Sequence, residues 1–338
     1  MKLEKFVSLG AVTLAALLVG SAGQARAEVS EITVAQQYGI GYLPLMVMQR
    51  DGLIEKQARA AGVGDLKVKW AKFAGSNVAN DALLSGNLQF AAVGVPPLIT
   101  MWAKTKGNLD VKGVAALNSM PIYLNTRDPN VKSVKDFTEK DKIALPSVKV
   151  SVQAVTVQMA AEKAFGEGNA HKLDSLTVSM SHPDGMVALT SGKGEINSHF
   201  TSPPFQYQEL EKPGIHTVLN SYDVMGGATT FVVVWATSRF REANPKIYMA
   251  FLNALKESVD FVNQDKRRAA EIYVKASNSK EPVEAILKML NDPEIEYTMT
   301  PKNVMKYADF LYKIGSIKDK PASWKDLFMP EIHGLLGS

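Results

Sequence analysis

The most informative absence in this 338-residue sequence is cysteine, of which there is none. A lipoprotein needs a cysteine at its new N-terminus and a disulfide scaffold needs cysteine pairs, so both classes are excluded. A chain of this length buries a large apolar core without covalent cross-links. The sequence therefore predicts an ordinary globular protein, with roughly two domains by size.

Long apolar runs are also scarce. The one clear run, Phe6 to Gly20, contains no charge and is followed by Ala25-Arg26-Ala27. This order is typical of a cleaved secretory signal peptide, predicted here for residues 1–27. The run is shorter than the ~20 residues that a transmembrane helix needs, and the sequence offers no second candidate. We expect the mature chain to begin near Glu28 and to be soluble in the periplasm of a bacterium with two membranes.

Charge of one sign does not dominate. The formal net charge of +4 falls to +2 when the leader removes three cations and one anion. The longest basic run, Lys266-Arg267-Arg268, is bracketed by Asp265 and Glu271, which is typical of a solvated helix face. Because the sequence has no basic stripe for a polyanion, we predict no nucleic-acid binding.

The familiar catalytic signatures are missing as well. The sequence has no Gly-x-Ser-x-Gly elbow and no His-Glu-x-x-His motif. The segment 39–44 begins like a dinucleotide-binding fingerprint, but Pro44 stands where the third glycine belongs. The segment 191–194 resembles the end of a phosphate loop, but Gly194 stands where Ser or Thr is needed. We therefore predict no enzyme activity and no cofactor.

The histidines show no close paired spacing, and without cysteine a tetrahedral metal site would need distant carboxylates. They are His171, His182, His199, His216 and His333. We predict no metal site. His199 adjoins a candidate ligand loop at 200–204, and we interpret it as a structural histidine.

Short β-like runs alternate with helical stretches through the first two thirds of the chain. The predicted strands are 32–35, 66–70, 90–93, 114–117, 143–145 and 176–180, followed by a long β-branched run at 229–236. This alternation predicts an α/β fold with mostly parallel sheets. After Arg239, apolar residues recur every three to four positions and predict helices at 245–261, 266–275, 282–290 and 301–312.

Residues that start helices follow several of these strands. Gly, Ser or Pro stand at 41–44, 75–76, 94–97 and 151–152, where they suit a turn, a cap or a first helical turn. Such junctions lie at the carboxyl ends of strands, where open α/β sheets bind ligands. Helix N-termini and hydroxyl donors favour an anionic ligand.

These junctions form a series that resembles the nitrate/sulfonate/taurine family of ABC-transporter substrate-binding proteins, which is related to thiamine-pyrimidine synthase. The matching segments are 32–38, 48–56, 82–90, 94–97, 142–147, 188–192 and 202–205. The resemblance implies a two-lobed periplasmic-binding-protein fold of type II, each lobe a mixed, mostly parallel sheet flanked by helices. It implies interlobe crossings near 119–122 and 222–227, with lobe one at 28–118 plus 224–338 and lobe two at 119–223.

The resemblance also implies a function. The chain would be the solute-binding component of an ABC importer that captures a small organic anion, sulfonate- or taurine-like or a carboxylate. It would close on the anion by hinge motion and deliver it, as a monomer, to a permease with a cytoplasmic ATPase. Two alternatives stay open. One is an enzyme on the same fold, such as the pyrimidine synthase of thiamine biosynthesis, which relies on a Cys-rich motif absent here; the other is a partner of a membrane sensor.

By the same resemblance, the family's ligand loops fall on seven segments. The implied ligand residues are Gln37, Tyr38, Gly75, Ser76, Val95, Pro96, Ser119, Lys149, Val150, Ser151, Phe200, Pro203, Gly227 and Thr229. Lys149 is the candidate cation, and Tyr38 and Phe200 are the aromatic residues expected to contact an organic body. The loop 146–151 lacks the Thr-rich form common among taurine and alkanesulfonate binders. The ligand therefore stays open among taurine, alkanesulfonates, aromatic acids and nitrate.

Overall fold

The computed structural model describes residues 27–338, so the predicted signal peptide lies outside the described residues except for Ala27. The described chain forms two five-stranded sheets flanked by helices, together with a small two-stranded sheet. Among the helices of residues 27–338, none combines the length and the apolar character that crossing a membrane requires.

The strands are β1 Glu31–Gln36, β2 Lys67–Lys72, β3 Phe90–Gly94, β4 Val111–Ala116, β5 Asn118–Ser119, β6 Tyr123–Thr126, β7 Ile143–Leu145, β8 Thr177–Ser179, β9 Ser198–Thr201, β10 His216–Asn220, β11 Val232–Thr237 and β12 Glu296–Tyr297. The helices are α1 Leu43–Asp51, α2 Leu53–Ala60, α3 Ser76–Leu84, α4 Val95–Thr105, α5 Val152–Phe165, α6 His182–Thr190, α7 Phe205–Leu210, α8 Ser221–Met225, α9 Ser238–Ala243, α10 Pro245–Gln264, α11 Lys266–Ser277, α12 Val283–Leu290, α13 Val304–Lys313 and α14 Trp324–Leu327.

The first sheet has the strand order β2-β1-β3-β11-β4 and the second has the order β10-β6-β9-β7-β8. The chain leaves the first sheet after β4, builds the second, and returns to the first through β11. Lobe one denotes residues 28–118 plus 224–338, and lobe two denotes residues 119–223, as the resemblance implies. The pairing of β5 with β12 ties the first crossing to the C-terminal region of lobe one.

Both sheets are mixed, and the α/β class predicted from the sequence is confirmed. In lobe one, β1 pairs in parallel with β2 and β3, whereas β11 pairs antiparallel with β3 and β4. In lobe two, β7 pairs in parallel with β8 and β9, whereas β6 pairs antiparallel with β9 and β10. Parallel pairing therefore accounts for half of each sheet, not most of it. The reason is that the strand after each crossing, β6 or β11, is antiparallel to both of its neighbours.

The core of lobe one lies around β3 and β11. Every residue of β3 is buried, as is the stretch Val232 to Ala236 of β11. The ring of Phe90 in β3 stacks on Phe251 of α10, with ring centroids 3.8 Å apart. Burial on both faces explains why these strands appear as continuous apolar runs in the sequence.

The predicted junctions all lead into helices. The helices α1, α3, α4 and α5 begin just beyond the carboxyl ends of β1, β2, β3 and β7, and the Ser151 hydroxyl caps α5 by accepting the Ala154 N–H at 3.2 Å. The four predicted C-terminal helices are confirmed as α10 to α13. The helix starts of both lobes thus lie at the sheet edges where a ligand is expected.

Candidate ligand-binding site

The two lobes touch at the loops that follow their strands. The Ile40 N–H donates to the Pro203 carbonyl at 3.1 Å, and the Ser76 N–H donates to the Ser147 hydroxyl at 2.9 Å. Gly94 of lobe one also faces Val152 of lobe two. Because each contact joins one lobe to the other, the structure is that of a closed cleft.

Two glycines make this approach possible. A Cβ atom on Gly94 would overlap Val152 Cγ2, and a Cβ on Gly75 would overlap the Pro146 carbonyl and the Ser147 hydroxyl. Any side chain at either position would hold the lobes apart. Gly75 and Ser76, predicted as ligand residues, therefore lie at an interlobe contact.

Beside these contacts, a cavity of about 380 Å³ lies between the lobes. It is lined by Tyr38, Gly39, Met46, Lys72, Pro183, Met186, Thr190, Pro204, Phe205, Gln208, Glu211, Lys212, Tyr273 and residues 277–281. Its volume falls in the range of small-molecule sites, roughly 300–1,000 Å³. Residues of both lobes form its walls, so a bound molecule would touch both.

The cavity combines apolar walls with charged edges. Tyr38, Phe205, Met46, Met186 and Tyr273 supply aromatic and thioether surface. The charged residues of the lining are Lys72, Lys212, Lys280, Glu211 and Glu281, which gives one more positive charge than negative. The Lys72 ammonium lies 5.4 Å from the centre of the Tyr38 ring, over one face of that ring.

Several buried polar atoms have no hydrogen-bond partner among residues 27–338. Gln37 Nε2 and Ser202 Oγ are two of them, on side chains only 6% and 1% exposed. They flank the Ile40–Pro203 contact in sequence. A third, Gln208 Oε1, belongs to the cavity lining. An unpaired buried polar group costs about 1–3 kcal/mol, and Gln208 is the one of these three residues that lines the cavity.

Other predicted ligand residues lie beside the cavity without lining it. Val95 and Pro96 begin α4 behind Gly94, and both are buried. Pro96 and Pro97 carry no N–H, so this helix start presents fewer free amides to an anion than most helix N-termini do. Phe200 is fully buried in β9.

The loop containing Lys149, Val150 and Ser151 also lies outside the lining. Lys149 is exposed and has a φ of 66°. Ser151 is occupied as the cap of α5. The cations that the structure brings to the cavity are instead Lys72, Lys212 and Lys280.

Ser119, Gly227 and Thr229 lie at the crossings between the lobes. The Ser119 hydroxyl is 3.1 Å from the Tyr222 hydroxyl, and the Thr229 hydroxyl donates to the Gly227 carbonyl at 3.0 Å. These groups have local partners and do not line the interlobe cavity. Gly227 and Tyr222 line a separate surface pocket at the crossing.

Of the predicted ligand residues, only Tyr38 lines the cavity. Phe205 was not among the predicted ligand residues, although it ends the matching segment 202–205. Lys72 was not predicted either, because the predicted strand ended at 70, two residues before β2 ends. The loop 277–281 was not predicted as part of the site. The apolar periodicity predicted the helices on either side of this loop but gave no sign that the turn after α11 would face the cavity.

A buried polar network lies beside the cavity in lobe two. The Glu209 carboxylate accepts from His199 Nδ1 at 2.5 Å and from Asn125 Nδ2 at 2.9 Å. His182 Nδ1 lies 2.9 Å from the Thr201 hydroxyl and 3.4 Å from His199 Nε2. Burial, and secondarily the electrostatic effect of the neighbouring His199, holds the pKa of His182 well below its usual value. His182 is therefore uncharged at neutral pH.

Comparison with known proteins decides the family. Residues 25–276 match the model of the NMT1-like family. The chain belongs to the NMT1-like family. No curated protein matches it.

Solved structures share the fold of this NMT1-like chain. The alkanesulfonate-binding protein SsuA of Xanthomonas axonopodis pv. citri, bound to MOPS, has a TM-score of 0.67 at 14% identity, covering 86% of this chain and 95% of its own. SsuA of Escherichia coli, a periplasmic aliphatic sulphonate-binding protein, has 0.63 at 16%, covering 89% and 92%. The periplasmic nitrate-binding protein NrtA of Synechocystis PCC 6803 has 0.66 at 16%, covering 88% and 84%. The predicted fold resemblance is confirmed, and these neighbours are binding proteins.

Proposed function

We propose that this chain is the periplasmic solute-binding component of an ABC importer and that it captures a small organic anion between its lobes. The observation that carries the proposal is the cavity of about 380 Å³ that both lobes line. It lies on a fold shared with sulfonate- and nitrate-binding proteins. The loaded protein, a monomer, delivers the anion to a permease with its cytoplasmic ATPase.

The charge of the cavity edge supports an anion. Lys72, Lys212 and Lys280 outnumber the two glutamates of the lining. Lys72 gives the strongest support for an anionic ligand, because it also lies over the Tyr38 ring and so places a cation next to an apolar surface. An anion with an organic body would meet both.

Hinge closure is the proposed mechanism. A ligand that bridges the lobes stabilises the closed form, and the closed form docks on the permease. The Ile40–Pro203 and Ser76–Ser147 hydrogen bonds would form only on closure, because each joins the two lobes. The two chain crossings supply the hinge.

A thermal-shift screen of the secreted protein tests the proposal. The panel contains nitrate, sulfate, taurine, alkanesulfonates, arylsulfonates and aromatic carboxylates. A ligand at about 100 times its dissociation constant adds ~2.7 kcal/mol to the free energy of unfolding, which raises the midpoint by several degrees. NMR of the bound compound after incubation should show that it is chemically unchanged.

Two lysine variants locate the site. Lys72→Met should reduce the shift, because it removes a cation from the cavity lining. Lys149→Met should leave the shift unchanged, because Lys149 lies outside that lining. The proposal fails if no anion of the panel shifts the midpoint, or if the bound anion is converted to a product.

A further inference from the structure

We propose that the cavity selects an anion with a flat aromatic body, an aryl carboxylate or an arylsulfonate, over inorganic oxyanions and short alkanesulfonates. This inference rests on the proposed function and names its substrate class. It follows from the shape and chemistry of the walls, from the support behind one aromatic wall, and from the position of the cations.

The apolar walls come from both lobes. Tyr38 belongs to the loop after β1, and Phe205 is the first residue of α7. Met46 and Met186 add polarisable thioether surface, which packs well against aromatic rings. Closing the lobes thus brings two aromatic side chains into one cavity, an arrangement suited to a planar ring.

The volume of the cavity disfavours a small ion. Nitrate or sulfate displaces about as much space as two water molecules, roughly 60 Å³, which is a small part of 380 Å³. An inorganic ion would leave the aromatic and thioether walls in contact with water. An aryl body would bury that surface, at about 25 cal/mol for each Å² of apolar area removed from water.

The Phe205 wall is supported from behind. Its ring stacks on the buried His182 ring, with centroids 5.8 Å apart and planes at 26°. His182 is held by the Thr201 hydroxyl at 2.9 Å and packs beside His199, which Glu209 holds in turn. Phe205 therefore keeps its orientation before a ligand arrives, and preorganised surface loses little entropy on binding.

The charged and polar groups assign an orientation to the ligand. Lys72, Lys212 and Lys280 are exposed, so they lie at the solvent edge of the cavity and would hold the carboxylate or sulfonate there. The ring then points inward between Tyr38 and Phe205. The Gln208 amide, whose Oε1 has no partner among residues 27–338, would bind a hydroxyl substituent on the ring.

Isothermal titration of the secreted protein tests the inference. The probes are benzenesulfonate and 4-hydroxybenzoate against ethanesulfonate, taurine and nitrate, at one ionic strength. We expect the aryl anions to bind at least about tenfold more tightly than the others, from their larger apolar area. Phe205→Leu should weaken aryl binding by about five- to tenfold and leave ethanesulfonate binding within about twofold, because leucine keeps apolar volume without a ring.

Further variants keep the test independent of one substitution. Tyr38→Leu, on the other lobe, should lower the same aryl-to-alkyl affinity ratio. His182→Ala should also lower that ratio, whereas a general loss of stability would lower both affinities together. Phe165→Leu, at the far end of α5 and outside the cavity lining, is the matched control and should leave the ratio unchanged.

The outcomes separate this inference from the proposed function. If ethanesulfonate, taurine or nitrate binds as tightly as the aryl anions, or if Phe205→Leu and Tyr38→Leu leave aryl affinity unchanged, the substrate class is overturned and the binding function stands. If no anion binds, both are overturned. Tight aryl binding that both variants reduce selectively supports both.

Discussion

At the scale of single residues, the buried network of lobe two contains contacts that the sequence does not predict. The sequence drew attention to His199, because it adjoins a candidate ligand loop. It gave no sign that Glu209, ten residues later, would be fully buried against it. Nor did it link His182 to His199, since the two meet only when α6 packs on β9. Gly185 permits that packing, because a Cβ there would lie 2.5 Å from His199 Nε2.

The uncharged state of His182 predicts a dependence of stability on pH. Its pKa is lowered in the folded state, so below about pH 6.5 the unfolded chain binds a proton that the folded chain does not. The free energy of unfolding should therefore fall as pH is lowered from about 6.5 toward the folded-state pKa, by at most ~1.4 kcal/mol per pH unit from this residue. Urea unfolding between pH 7 and pH 5 measures the slope.

Two variants test whether His182 causes this pH dependence of the free energy of unfolding. His182→Asn keeps a polar side chain but removes the titration, so its slope should be shallower than that of the unmodified protein. Phe165→Leu, at the end of α5, removes no titratable group and should leave the slope unchanged. Equal slopes in the unmodified protein and in His182→Asn would contradict the assignment.

At the scale of elements, the sequence predicts helices and apolar strands well and polar strands poorly. Long helices such as α10 repeat their apolar face several times, so the period is clear. The strands β6, β9 and β10 went unpredicted. They are short, and β6 and β9 bury polar side chains, including Asn125, Thr126 and Ser198. Hydrogen bonds within the fold satisfy those side chains, so no alternation of apolar and polar residues reveals the strands.

The start of α10 gives a prediction at this scale. The two Glu28 carboxylate oxygens accept the N–H groups of Lys246 and Ile247 at 2.9 and 2.8 Å, and the Val29 N–H donates to Asn244 Oδ1 at 2.9 Å. A carboxylate at a helix N-terminus both caps free amides and interacts favourably with the helix dipole. Glu28→Ala should lower the free energy of unfolding by about 1 kcal/mol.

Urea unfolding of the secreted protein measures this loss. The control is Glu31→Ala, which removes an exposed carboxylate paired with Lys67 and Lys69 and should cost less stability than Glu28→Ala, because solvent screens an exposed ion pair. If the two variants lose equal stability, Glu28 contributes no more than a surface charge.

At the scale of the whole molecule, the resemblance predicted the fold correctly, but of its implied ligand residues only Tyr38 lines the cavity between the lobes. The lining comes from five separate parts of the chain, which the closed arrangement of the lobes brings together; they lie around Tyr38, Lys72, Met186, Phe205 and Tyr273. Local sequence patterns predict which loops face the cleft. They do not predict which side chains line the cavity once Gly75 and Gly94 contact the other lobe.

The Gly94–Val152 contact predicts a compensating pair of variants. Gly94→Ala should hinder closure, because its Cβ would overlap Val152 Cγ2, although its φ of −79° suits alanine. We expect anion affinity to fall by about 5- to 150-fold in Gly94→Ala, since binding must then work against an overlap costing about 1–3 kcal/mol. Val152→Ala removes the overlapping methyl group, so the double variant should recover much of the lost affinity.

Isothermal titration with the tightest panel anion measures each step of that cycle. The control is Gly334→Ala, where a Cβ would meet nothing within 4 Å. Weak binding by the double variant as well as by Gly94→Ala would show that the overlap is not the cause.

Small-angle X-ray scattering of the secreted protein, with and without its tightest panel anion, tests the central claim most directly. The claim is that this chain is a two-lobed binding protein that closes over its solute. It predicts a smaller radius of gyration when the anion is bound, and bound-state scattering that matches the closed structure described here. An unchanged radius of gyration at saturating anion would contradict it.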